Sequence, residues 1–375
     1  SPLKTRVHPY IPQDESCLQE GQVLVHVAKL ALTSNTQTYA LAGKHPMLKY
    51  FAHFPAPRDA PDGHAMCPCW GVGIVKASKC TGVAKGVRVY GYYTFSPTVI
   101  LTPSKLTATS FEDSAANRAG LIAAYITYFT SESPQFQGLN YVAEDFQMAT
   151  GVLFSTGWAM AQTAALHPEK PTAIVLTSAS SRTSQAAAFA AKFHELPLQV
   201  IGITSVGNKE FVKSIGTYDV VVSYDELGTL VNQKVAVLDV AGDAKCQEGL
   251  YQKYGIDLVY YGSVGMSHVG NAGQKAPKLK GLGGAKPDFF LVFMGLEAAA
   301  KSYGREKYNK LLQNATKAWQ DAMMPKFHPV RSFGVKEVQT VWEQMAANKT
   351  KPEFTYIVSM WPESEHDLVF ATSKL

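Results

Sequence analysis

Hydroxyl side chains crowd one turn of this 375-residue chain: Thr177, Ser178, Ser180 and Ser181, followed by Arg182 and Thr183. Before them runs an apolar stretch, Ala173 to Leu176, short enough for a strand buried on both faces. After them, Thr183 to Phe193 is Ala-rich with good helix propensity. Strand, polar turn and helix open a βαβ unit. The helix N-terminus offers free N–H groups and a partial positive charge, which suits a phosphate. The turn is therefore a candidate cradle for the pyrophosphate of a nicotinamide dinucleotide. The G-x-G-x-x-G fingerprint is absent, with Ser and Ala where glycine would let the backbone come closest. On these residues alone two readings stand, a dinucleotide site and an ordinary α/β turn.

A second buried strand, Leu198 to Ile203, runs into Thr204, Ser205, Asn208 and Lys209. NAD-preferring folds place an Asp or Glu near such a strand end to accept from the ribose 2′-OH. None stands here. Hydroxyl, amide and ammonium groups take its place and suit a dianionic 2′-phosphate. Three more strands are expected at Tyr218–Asp225, Lys234–Gly242 and Leu258–Gly265, and a last one at Asp288–Met294. Those ending at Gly242 and at Gly262 and Ser263 finish in small residues, as strands do where a cofactor crosses their carboxyl ends. Asp239, inside an apolar run, reads as a structural carboxylate. Strands alternating with helices from Thr172 to Met294 predict a parallel doubly wound sheet.

The flanking elements differ. Gly21–Ala31, Ile74–Ala77 and Val87–Tyr93 read as short strands among Gly and Pro turns, which suggests a small β-barrel or sandwich. Glu112 to Phe129 has an amphipathic helical pattern, Gln147 to Leu166 a long helical one. In the tail, Glu297–Met323 and Val335–Asn348 read as helices and Glu353–Met360 as a strand. A net charge of +5, spread along the chain, marks no nucleic-acid or membrane surface. No apolar run is long enough to span a bilayer. Five cysteines are odd in number and form no disulfide grid, so a reducing compartment is expected. The N-terminus lacks Met and a signal h-region and reads as trimmed; the expectation is a soluble, cytoplasmic protein.

Several motifs, in order, resemble the medium-chain dehydrogenase/reductase superfamily on its quinone-oxidoreductase and enoyl-reductase side. Trp70-Gly-Val-Gly-Ile-Val and Gly82-Val-Ala-Lys-Gly-Val-Arg-Val-Tyr-Gly91 are similar to its glycine-rich strand pair. Ser34-Asn-Thr-Gln-Thr-Tyr-Ala-Leu-Ala-Gly43 resembles its "N-x-x-D-x-Y-x-x-x-G" stretch at the active-site cleft. Asn117 to Tyr128 resembles the helix that precedes its cofactor domain. The chain looks closest to a branch known only as a domain of unknown function. The resemblance implies an α/β fold, a Rossmann-like doubly wound parallel sheet (147–294) inserted into a GroES-like β-barrel domain (1–146 plus 295–375). It also implies NADP(H), with Lys209 and Tyr224 matching the positions that hold the 2′-phosphate. Zinc-dependent relatives carry Gly-His-Glu where this chain has Cys69-Trp70-Gly71. Cys67-Pro-Cys69 is too tight for the usual zinc spacing, so no metal is expected.

The reaction so implied is hydride transfer from NADPH to an activated C=C or carbonyl of a small organic substrate, with the protein supplying orientation and a proton donor. Tyr39 is the candidate donor with Asn35 beside it, and Tyr125 and Thr127 would flank the nicotinamide. His45, His53, His64 and His268 are weighed as acids, each against a structural role. The Gly- and Lys-rich stretch from Met266 to Lys286 reads as a long loop, either a cover or a surface excursion. The alternatives are a non-redox lyase or hydrolase on the same scaffold with a lost or structural cofactor, and a scaffold protein with a dead site. The expected partners are a small molecule and a second copy of the chain, not nucleic acid or membrane.

Overall fold

A computed structural model describes residues 3–45, 48–57, 59–265 and 277–370, the last four of them by backbone alone. Contacts divide the chain into two compact units: 1–149 with 328–350 and 354–375, and 150–327 with 351–353.

Unit 1 begins with β1 (Val23–Leu32), whose apolar residues are buried along its length. Helix α1 (Ser34–Leu41) follows, opened by a capping box between Thr33 and Thr36, then the single turn α2 (Tyr50–His53). Next come β2 (Pro68–Ser78), β3 (Arg88–Thr94), β4 (Thr98–Leu101), β5 (Pro103–Ser104), β6 (Ser110–Asp113) and β7 (Thr127–Thr130). The helix expected over 112–129 is not formed. Its two ends are strands paired antiparallel, Ser110 to Phe129 and Glu112 to Thr127. Gly120 at φ +82° lies between them, with short 3₁₀ turns at Ala116–Arg118 and Ala123–Tyr125. The apolar residues that gave a helical period serve the sheet instead: Phe111 and Tyr128 are buried and stacked on each other.

Helix α3 (Tyr141–Leu166) leads into unit 2. There β8 (Ala173–Leu176), α4 (Arg182–Phe193), β9 (Gln199–Thr204), α5 (Lys209–Ile215), β10 (Val220–Ser223), β11 (Val235–Asp239), α6 (Ala244–Tyr254), β12 (Leu258–Ser263) and β13 (Pro287–Phe289) alternate. The strands form one six-stranded sheet in the order β10-β9-β8-β11-β12-β13, with every neighbouring pair parallel. The last strand is shorter than expected. Of Asp288–Met294 only Asp288 and Phe289 are strand, because helix α7 (Val292–Tyr303) starts within it. The single helix expected over 297–323 is broken at Gly304 (φ +80°), and α8 (Arg305–Met323) follows. Residues 295–327 were expected to belong with the first domain; they belong to unit 2 instead, because α7 packs on α8 and α8 on α4. Trp319 of α8 stacks on Phe154 of α3 and meets Phe189 of α4 edge-on.

The chain then returns to unit 1 through β14 (His328–Phe333), which the sequence pattern did not signal, α9 (Val335–Ala346), β15 (Phe354–Ser359) and α10 (Glu363–Phe370). The unit 1 strands make a nine-stranded sheet, β14-β15-β1-β2-β3-β7-β6-β5, with β4 also on β1. One edge of β1 is shared: Val23–His26 pair with β4 and Leu30–Leu32 with β15.

The start of α3 is tied to this sheet by charge. The Lys29 ammonium, buried, lies 2.5 Å from Asp145 and 2.7 Å from Glu144. Arg88 grips Glu144 with two N–H groups, and Arg331 of β14 pairs with Asp145. Lys29 also sits 3.8 Å from the centroid of the Tyr141 ring. Each carboxylate thus faces two cations, the arrangement a buried charge requires.

Candidate functional site

In unit 2 the order of strands reverses between β8 and β11, the place where open α/β sheets take ligands. Thr177, directly after β8, staples the two strand ends. Its hydroxyl donates to Asp239 Oδ1 (2.5 Å) and accepts from the N–H groups of Val240 (2.9 Å) and Ala241 (3.0 Å). Asp239 also accepts from Tyr261 (2.8 Å) and from the N–H groups of Ala241 and Gly242 (3.1 Å each). Burial pushes its carboxyl up, while these bonds pull it down. Its role is to fix the strand ends.

The turn follows at once. Ser178 takes φ +48°, the left-handed region usually left to glycine. Its N–H donates to the Tyr224 hydroxyl at 3.2 Å, and burial raises that phenol's pKa. Ser181 is the N-cap of α4 and accepts from the Ser184 N–H. Ser184 in turn donates to the Thr177 carbonyl at 2.8 Å. Ser180 accepts from the Asn208 amide at 3.3 Å. Arg182 is turned along the helix, donating to Gln185 Oε1 (3.1 Å) and to the Glu353 carbonyl (3.3 Å); burial brings its pKa down to about 10. Thr183 is buried in the first turn of α4, Thr204 is buried at the end of β9, and Ser205 is exposed. Gly262 and Ser263 end β12, and Ser263 accepts from the Phe290 N–H through its carbonyl.

Lys209 starts α5, and its ammonium lies 2.6 Å from Glu226 Oε2. The carboxylate that is missing at the end of β9 is therefore present, supplied from beyond β10. Among the sequence-predicted residues, the structure gathers Ser178 with Tyr224 and Ser180 with Asn208. Sequence reasoning missed Thr177 as the staple, Ser184 and Glu226. The Ser181-x-x-Ser184 spacing is a capping signal that points to Ser184. The donor set fits a dinucleotide phosphate in kind: hydroxyls of Ser180, Ser181 and Thr183, the first turn of a twelve-residue helix and the Lys209 ammonium.

Unit 1 holds the other predicted group. The Tyr39 hydroxyl accepts from Asn35 Nδ2 at 2.6 Å and from Trp70 Nε1 at 2.9 Å. A phenol oxygen has two lone pairs, so both are engaged and only its proton remains to be given. Rings of Tyr50, Tyr92 and Tyr125 surround Tyr39 edge-on. Burial, then the neighbouring Tyr125, lifts its pKa well above that of a free phenol. Tyr50 donates to Tyr125 at 3.0 Å. Thr127 sits on β7 with its hydroxyl on the Ala123 carbonyl (2.8 Å). Trp70 was read from the sequence only as part of a strand motif, and its indole N–H is what completes the Tyr39 environment.

Two of the candidate histidines have structural partners. His53 bonds the Asn117 carbonyl and His64 the Pro61 carbonyl, both at 2.9 Å. His268, with most of its loop, lies outside the described residues. The Cys67 and Cys69 thiols donate to the carbonyls of Thr36 (3.4 Å) and Ala31 (3.2 Å), and burial pushes Cys69 up to about 12. A separate cavity of about 480 Å³ in unit 1 lies beneath the N-terminal segment, walled by Val7, Tyr10, Phe95, Val338 and Trp342; neither Tyr39, Asn35 nor Thr127 lines it.

The fold is shared with several solved oxidoreductases. The structure of CurA in complex with NADPH from Vibrio vulnificus superposes with a TM-score of 0.59 at 13% identity, covering 94% of this chain and 93% of that one. The Etr1p/NADP/crotonyl-CoA complex gives 0.54 at 14% identity, covering 93% of each chain. A mutant enoyl thioester reductase from Candida tropicalis gives 0.52 at 14%, again over 93% of each. At such identities the likeness establishes the fold. No curated protein matches the chain by sequence. A family model does, over residues 30–351, and the chain belongs to that family, described as a protein of unknown function (DUF2855).

Proposed function

We propose that this protein is a zinc-independent, NADPH-dependent reductase of an activated C=C or carbonyl in a small organic substrate. The observation that carries the reading is the hydroxyl-rich turn from Thr177 to Ser181, pinned at the switch point of the parallel sheet, with the Lys209 ammonium at the neighbouring strand end. The ligands in the similar structures, NADPH with CurA and NADP with crotonyl-CoA with Etr1p, support it.

Bound NADPH would supply a hydride. Around it, Ser180, Ser181 and Thr183 with the α4 N-terminus would hold the diphosphate, and Lys209 and Tyr224 the 2′-phosphate. Tyr39 would act in unit 1. A phenol this reluctant to ionise is a poor source of a free proton but a good neutral hydrogen-bond donor, suited to an oxygen that gains negative charge. A homodimer is the assembly we propose.

The test is a titration followed by nicotinamide fluorescence. NADPH binds the parent chain and NADH binds more weakly. Lys209→Ala weakens NADPH by about 1.5–3 kcal/mol, the worth of a charged hydrogen bond, and leaves NADH nearly unchanged. Equal weakening of both would refute the 2′-phosphate assignment. If neither NADPH nor NADH binds the parent chain, the non-redox lyase or hydrolase reading is favoured.

A further inference from the structure

Glu226 lies two residues beyond Tyr224, in the turn that follows β10. One of its oxygens accepts both from the Ser223 N–H (2.8 Å) and from Lys209 Nζ (2.6 Å). The hydrogen bond from Lys209, and next the one from the Ser223 backbone, bring its carboxyl down to about 2, so it is charged at every ordinary pH. The backbone bond anchors the carboxylate independently of the lysine. The neighbouring carboxylate Glu210 is engaged with Lys213 at 2.9 Å. Glu226 is thus the carboxylate held directly against the Lys209 ammonium, while Glu210 feels that charge only through space.

A dianionic 2′-phosphate approaching Lys209 meets that anion. It must share the ammonium with Glu226 or displace it, and the two negative groups repel. A 2′-hydroxyl carries no charge and meets no such barrier. We propose that Glu226 sets the discrimination between NADPH and NADH by competing with the 2′-phosphate for Lys209. The inference rests on the reading of Lys209 as the phosphate ligand. The interaction of two unit charges a few ångströms apart in water corresponds to roughly fivefold in affinity.

The experiment replaces the charge and keeps the shape. Glu226→Gln retains a side-chain oxygen for the Ser223 N–H. In the full-length protein, NADPH and NADH affinities are measured by nicotinamide fluorescence, beside a thermal melt to confirm folding. The expected result is NADPH affinity raised about fivefold, with NADH unchanged. Unchanged NADPH affinity overturns the proposal. So does a fall in NADH affinity alone, which would make Glu226 an acceptor for the ribose hydroxyl. Lys209→Ala, measured alongside, separates the two levels. If it leaves the NADPH-to-NADH ratio as it was, the phosphate reading itself fails. If it collapses the ratio while Glu226→Gln is silent, that reading stands and the competition does not.

Discussion

Tyr39 shows how a single side chain is prepared by its surroundings. Both lone pairs are engaged by Asn35 and Trp70, so the hydroxyl can only give. Tyr39→Phe is expected to lower kcat by about 10²–10⁴-fold, the usual reach of a positioned donor, while the NADPH Kd stays where it was. The same variant loses about 1–3 kcal/mol of stability, because the Asn35 and Trp70 donors are left without an acceptor. A kcat within twofold of the parent removes Tyr39 from the reaction. At this scale the sequence was partly legible. The hydroxyl run, Lys209 and Tyr224 stand out by type and spacing. Trp70 and Glu226 do not, because each acquires its partner across the fold: Trp70 lies 31 positions from Tyr39, and Glu226 lies 17 from Lys209.

Elements explain why an Ala-rich helix follows the hydroxyl turn. Gly157 of α3 passes so close to α4 that a Cβ there would sit 2.5 Å from the Ala187 nitrogen, 2.6 Å from Ala186 Cβ and 2.7 Å from the Thr183 carbonyl oxygen. Small residues on both helices allow this approach, and α4 thereby sets its first turn against α3. Gly157→Ala should cost about 1–3 kcal/mol in urea unfolding, as overpacking does, and weaken NADPH binding as the α4 N-terminus shifts. Unaltered stability would show that the contact is slack. The parallel strands of unit 2 were readable because each is a short apolar run ending in small or polar residues. The stretch from 112 to 129 misled for an equally physical reason. Its apolar residues fall at helical intervals, yet Gly120 in a left-handed conformation folds the segment back into a strand pair. Pairing partners, which periodicity does not report, decided the outcome.

At the largest scale, distant segments of unit 1 meet in a cluster of charges. Lys29, Glu144, Asp145, Arg88 and Arg331 bring together β1, α3, β3 and β14, from both ends of the sequence. Lys29→Met leaves two carboxylates short of a cation. The expected loss is about 3–5 kcal/mol, read as a lower denaturation midpoint by tryptophan fluorescence. An unchanged midpoint would mean that Arg88 and Arg331 suffice alone. Composition gave no hint of this network, since its members pair across 56, 116 and 186 positions of sequence. The boundary near 327 was obscured for a similar reason. Helices α7 and α8 resemble any amphipathic tail in sequence, and the packing of α7 on α8 and of α8 on α4 is what assigns them to unit 2.

The pairing of β1 with β15 has a consequence for biosynthesis. Ala31 emerges from the ribosome 326 residues (357 less 31) ahead of its neighbour Ile357. Until then a long, apolar strand keeps one rim open, the condition that invites aggregation or chaperone capture. The 150–327 segment needs almost nothing from later residues and can settle while translation continues. Maturation of the nascent polypeptide is thereby ordered from its middle outward.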